Sequence, residues 1–297
     1  MQLDRTGLAV RERSFFDLVD LSFMVLRIYF VPLMKATLLT VAPLWLLNFL
    51  LVDHMLRDAV ADEQSPQAYI WLTLCLVIAE APLVSLLPTM YLGRIVFMDD
   101  PTLREVMRDG IRLAPRWIWC QIFVRGIIWV WVVVFFSRTA DENSFVAWQF
   151  GMVAAMSLLL LIRAVRPFVN EIIVLERNRL QAKSPGDMTI ARRSGILHGP
   201  SGGDIFGRAI VSYLLACLLF FSLLAAFLFV CRVLLNIEDP LHPLILRFIY
   251  PLCLWIVAAY FTVLRFLSYL DIRIRHEGWE VELRLRAEAA RLAKKLQ

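Results

Sequence analysis

Two adjoining stretches decide the fold: residues 15–30, FFDLVDLSFMVLRIYF, and residues 31–51, VPLMKATLLTVAPLWLLNFLL. In the first, Phe15, Val19, Phe23, Leu26 and Phe30 recur at three- and four-residue spacing, while Asp17, Asp20 and Arg27 gather near the other face. That spacing predicts an amphipathic helix of the kind that lies at a membrane surface. The second stretch is an apolar run long enough, at about 1.5 Å per residue, to cross a hydrocarbon core of about 30 Å. The same order, a half-apolar helix feeding a membrane hairpin, returns near Thr102 and Thr189, at a spacing of about 87 residues.

Composition agrees with this plan. The chain has 297 residues, of which 60% are hydrophobic and 19% charged, against roughly a quarter charged in soluble domains. Mean hydropathy is +0.67. Apolar residues fall in blocks of span length, and each unpaired backbone group in hydrocarbon would cost several kcal/mol, so the blocks read as spanning helices. The spans are expected near 31–51, 68–97, 117–136, from 145 onward with a break at Pro167, 205–235 and 244–267. Surface helices are expected at 15–30, at 101–116 with Asp100 as cap and Pro101 in the first turn, and around 188–197. The fold class is therefore an all-α polytopic membrane protein, six transmembrane helices in three hairpins. It forms one membrane domain over 1–297, with approximate repeats at 14–98, 101–180 and 188–270 and a charged tail at 271–297.

Charge sets the orientation. Of the 31 Lys and Arg, only Arg57, Arg138, Arg232 and Arg247 fall in the three alternate turns, and Arg125 falls inside a span. The others flank the remaining span ends, so the positive-inside rule puts both termini in the cytoplasm of a bacterial inner membrane. The net charge of +5 then reflects this bias and an anionic inner leaflet rather than nucleic acid. The opening MQLDRTGLAVRER leads into no short apolar core with a cleavage site, so a removed signal peptide is not expected. In the tail, a helix following the sixth span and stopped by Gly278 is favoured over a hairpin turning at Glu277-Gly278.

Several phrases resemble a group of bacterial six-span proteins related to the membrane domain attached to some glycerophosphoryl diester phosphodiesterases. They are FFDLVDLSFMVLRIYF, RPFVNEIIVLER, ARRSGILH, GGDIFGR and the closing YLDIRIRHEGWEVEL. The resemblance implies a membrane domain alone. It carries no catalytic residue onto this chain, because the group's phosphodiesterase chemistry belongs to a separate soluble domain.

Charges inside spans are expensive and tend to be paired or functional. Glu80 and Arg125 fall about 12 Å from the same face on consecutive antiparallel spans. They are candidates for an intramembrane ion pair, either a structural lock or a polar site for an ion, proton or lipid headgroup. Arg163, Arg166 and Arg265 are the lipid-headgroup candidates: Arg163 and Arg166 are placed to snorkel toward phosphates, and the alternative, a headgroup pocket between span ends, adds Arg265. No catalytic or cofactor signal accompanies them. His54, His198, His242 and His276 are scattered, the five cysteines form no Cys-x-x-Cys pair, and HGPSGGDIFGR lacks the Gly-x-x-x-x-Gly-Lys phosphate loop. The expectation is a non-catalytic membrane protein without cofactor or metal. A scaffold or partner for membrane or envelope enzymes comes first, because the surface helices, the long connector and the tail share one face. The alternative is a transporter or lipid-handling protein using a polar site near Glu80 and Arg125. Expected partners are the bilayer, anionic lipids at the cytoplasmic face and a membrane or cytoplasmic protein.

Overall fold

The computed structural model describes residues 13–97, 101–124, 145–182, 184 and 186–277. All regular structure among them is helical, with one isolated bridge between Arg179 and Thr189. Ten α-helices follow in order: α1 (Phe15–Ile28), α2 (Phe30–Ala61), α3 (Gln67–Val84), α4 (Leu86–Phe97), α5 (Leu103–Ile118), α6 (Phe145–Val165), α7 (Val169–Leu175), α8 (Ile190–His198), α9 (Gly202–Leu235) and α10 (Tyr250–Glu277). Two π-helical segments, Trp119–Val124 and Ile245–Ile249, continue α5 and lead into α10.

Among the described residues, four helical stretches are long and apolar enough to cross a bilayer: Phe30–Ala61, Gln67–Val96, Gly202–Leu235 and Ile245–His276. A fifth arises if Gly151–Val165 and Val169–Leu175, bent by 54°, count as one. The chain is thus a multi-pass helical membrane protein. The bend falls at Pro167, where the ring removes the N–H a continuous helix needs.

Two of the short helices, α1 and α8, begin on side-chain caps. Ser14 and Asp17 exchange side-chain and backbone bonds at 3.2 and 3.1 Å, a capping box that starts α1. Thr102 precedes α5, and Thr189 accepts from the Arg192 N–H to start α8. Pro101 therefore lies before the cap rather than in the first turn. Tyr29 alone separates α1 from α2.

Two other expectations change, and the favoured helix of the tail holds as far as Glu277. The acidic loop after the first span is mostly helix: α2 continues to Ala61, because Val52 and Leu56 are buried in a cluster with Tyr69, Leu72 and Leu76 of α3. The second span is two helices, with Ser85 between them. The hairpin alternative for the tail is excluded as far as Glu277, since Ile272 and Ile274 are buried positions of α10. The third span beyond Val124, Arg125 and the tail after Glu277 lie outside the described residues.

The α2–α3 and α9–α10 connections share one end of the bundle, where Asp53 of α2 bonds Arg57 and Arg247 at 2.6 Å each. At the opposite end, rich in arginine, Glu176 takes Arg193 at 2.7 Å and the Tyr269 hydroxyl at 2.8 Å. Asp109 there accepts from Arg94 and Arg177 at 2.6 and 2.9 Å. Burial works to raise the Asp109 pKa, but the two guanidiniums outweigh it and hold the carboxyl below its ordinary range.

α10 is the central helix, packing against α1, α3, α4 and α9, with Phe266 and Tyr269 fully buried. α9 is the opposite case: apolar around its whole circumference, it buries only Ile205 and Cys231, as a lipid-facing helix does. Lipid tails are as apolar as leucine, so van der Waals fit and polar links must hold such helices together.

A polar break beside an apolar groove

Two prolines six residues apart create the candidate site. Pro82 has no N–H, so the Ile78 carbonyl four residues earlier lacks its helical partner, and Pro88 does the same to Val84. Other helices supply the missing donors. Arg163, from the last turn of α6, donates to the Ile78 carbonyl and, at 2.6 Å, to that of Ala79. The Thr40 hydroxyl of α2 lies 3.1 Å from the Val84 carbonyl and shares its one proton between it and the Thr37 carbonyl at 2.9 Å. In hydrocarbon a broken helix persists only when neighbours take over its freed groups.

Ser85 is the centre of the break. Its hydroxyl donates to the Pro82 carbonyl at 2.8 Å and accepts from Asn170 Nδ2 at 2.7 Å and Arg265 Nη2 at 2.8 Å. One donor and two acceptor sites are thereby all used. Asn170 of α7 also donates to the Pro82 carbonyl at 3.0 Å and accepts from Gln121 of the π-helical segment. Arg265 of α10 turns its Nε to Glu171 Oε1 at 2.7 Å, and Glu171 is fully buried. A buried pair of this kind stands only because the guanidinium and carboxylate neutralise one another and are hydrogen-bonded as well. Its elements, α3, α4, α7, α10 and the segment after α5, are thus joined at one point.

Beside the break lies a groove of about 420 Å³ between α3, α6, α9 and α10, within the range of about 300–1,000 Å³ usual for small-ligand sites. Its walls are chiefly apolar, including Leu74, Val77, Phe220, Phe221 and Leu254, and Phe15 reaches it from α1. Arg163, Arg208 and Arg265 line it, one from each of α6, α9 and α10. Arg208 is held by Asp271 at 2.9 Å and lies 2.9 Å from Asp204. Asp271 also accepts from the Arg13 N–H at 2.9 Å, which fixes the chain just before Phe15. At the Pro167 bend, Phe168 faces the groove; its N–H donates to His198 Nε2 at 3.4 Å and its ring stacks on His198. Along α9 the groove reaches the outer surface, where Phe221 and Cys217 are exposed.

The predicted residues divide accordingly. Glu80 is fully buried and accepts from Asn48 Nδ2 at 2.8 Å. The carbonyls just before it are the ones held by Arg163. Arg125 lies outside the described residues, and with it the proposed pair. Arg163 and Arg265 meet at the groove, whereas Arg166 is exposed and not part of its lining. Sequence reasoning missed Ser85, Gln121, Asn170 and Arg208. The two prolines were the available signal for the first three, and the Asp204–Arg208 spacing of one helical turn for the last. Among the described residues, no group of three His, Cys, Asp or Glu side chains is placed to hold a metal ion.

Helix class, span lengths and a polar break inside the bundle define a multi-pass membrane protein with a polar site among its spans. In comparisons with known proteins the sequence matches no family model and no curated protein, and the fold matches no solved structure.

Proposed function

We propose that this protein is a lipid-handling membrane protein that takes a bilayer lipid into the groove between α3, α6, α9 and α10. One observation carries the reading: a groove open along a lipid-facing helix, apolar over most of its length, ends on three arginines from three helices. That is the shape of an amphiphile's complement, with a long apolar body and one polar end. The polar break serves as its rigid floor, since each freed carbonyl and the Ser85 hydroxyl are satisfied by side chains of other helices. On this reading the working site comprises Pro82, Ser85 and the arginines, close to Glu80.

The reading includes six spans in three hairpins, both termini in the cytoplasm of a bacterial inner membrane, and no catalysis. The Lys and Arg distribution supports that orientation, and the resemblance to six-span membrane domains supports the hairpin plan. A scaffold role draws on no feature as specific as the groove. The test is native mass spectrometry of protein extracted in mild detergent. A bound lipid that survives delipidation in the wild type and is lost when Ala216→Trp fills the groove is the expected outcome. A wild type that retains no lipid rejects the proposal.

A further inference from the structure

Resting on that reading of the groove, we propose that its ligand is an acidic lipid whose phosphate or carboxylate headgroup docks on Arg208 and Arg265. Three arginines line the groove and no Asp or Glu does. An ammonium-bearing headgroup would find no carboxylate in the groove lining to hold it. A phosphate or carboxylate meets N–H donors and makes charge-assisted hydrogen bonds with them.

The two guanidiniums are fixed and incompletely used. Arg265 places Nε on Glu171 and Nη2 on Ser85, leaving Nη1 without a protein partner among the described residues. Arg208 has Nη1 on Asp271 and Nε beside Asp204, leaving Nη2 in the same condition. Arg265 is therefore anchored along its Nε–Nη2 edge and Arg208 through Nη1, and each keeps a nitrogen without a protein partner among the described residues. Side chains already immobilised lose little freedom when they bind, which is the requirement for a preorganised anion site.

The groove also has a direction. Arg163 ends α6, Arg208 stands in the second turn of α9, and Arg265 lies in the later half of α10. Arg208, bonded to Asp271, stands nearest the arginine-rich end, and Arg163 and Arg265 lie deeper, at the level of the polar break. From Arg208 to Phe220 along α9 is about 18 Å at 1.5 Å per residue, a little over half of a hydrocarbon core of about 30 Å. The apolar part thus accommodates the acyl region of one leaflet, with the acid at the arginine-rich end.

Cys217 provides the assay, since it lines the groove and is exposed while Cys75, Cys120, Cys231 and Cys253 are buried. Its labelling by a maleimide is followed in micelles containing phosphatidylglycerol, phosphatidylcholine of identical chains, or oleate. Phosphatidylglycerol or oleate should slow labelling at least fivefold and phosphatidylcholine less than twofold, taking about tenfold per 1.4 kcal/mol as the scale; which of the two acids protects tells phosphate from carboxylate. Arg208→Gln, which leaves Asp271 its bonds to Arg275 and the Arg13 N–H, should abolish the difference. Arg265→Lys, which keeps a cation beside Glu171, should reduce it. Equal protection by phosphatidylcholine leaves the groove a lipid site and overturns the acidic headgroup. Protection by none of the three overturns both.

Discussion

The guanidinium of Arg163 stands where Pro82 has left a carbonyl without its donor: Pro82 lacks the N–H that would bond Ile78, and Arg163 bonds Ile78 instead. A defect in one helix is thus a joint between two. Pro82→Ala restores the N–H, so Arg163→Leu should destabilise the wild type by about 1–3 kcal/mol and the Pro82→Ala background by clearly less. A double-mutant cycle on thermal unfolding in micelles should give a coupling of at least about 0.5 kcal/mol. Additive effects would mean that Arg163 does not replace the missing donor.

Arg265 and Glu171 form the buried pair of the break. Replacing Arg265 by leucine leaves a buried carboxylate without its cation and should cost about 3–5 kcal/mol. The double replacement Arg265→Leu/Glu171→Leu should recover most of that loss, because the uncompensated charge is then gone. Denaturation midpoints of the two variants decide the matter; a double variant no more stable than the single one would contradict the pairing.

Asp109 makes stability depend on pH at the arginine-rich end. Its folded pKa is depressed, so the native state holds its carboxylate ionised more readily than the unfolded chain does. The contribution is complete above the unfolded value of about 4 and is lost as pH falls through the lower, folded value. The unfolding-temperature gap between wild type and Asp109→Asn should be constant from pH 7 to 5 and close below about pH 4. Because Arg177 is more than half exposed, the gap should be small and shrink further in salt.

Ser14→Ala removes one half of the capping box and should weaken α1 by about 1 kcal/mol. Amide exchange in the first turn of α1, at Asp17 and Leu18, should quicken severalfold while the buried middle of α10 is unaffected. Uniform acceleration in both helices would show that α1 unfolds only with the whole bundle.

Much of the architecture was legible in the chain itself. The amphipathic pattern of residues 15–30 predicts α1, and Pro167 predicts the bend between α6 and α7. The expected surface helix near 188–197 appears as Ile190–His198. Boundaries went astray where tertiary contact extended an element: nothing local says that the charged stretch after Leu51 stays helical, but burial of Val52 and Leu56 against α3 holds it so. For the site, Arg163 and Arg265 were visible as cations at span ends, while Arg208 read only as one more charge on the positive side.

By itself the sequence determined that this chain is a helical membrane protein, because span length, periodicity and charge asymmetry are local properties summed along it. Tertiary structure alone decided where the polar groups meet. Ser85 receives Arg265 across 180 residues and Asn170 across 85, and Asp271 holds Arg13 across 258. Partners so distant leave no periodic trace, since which donor answers a carbonyl freed by proline depends on how the helices pack and not on the residues beside it.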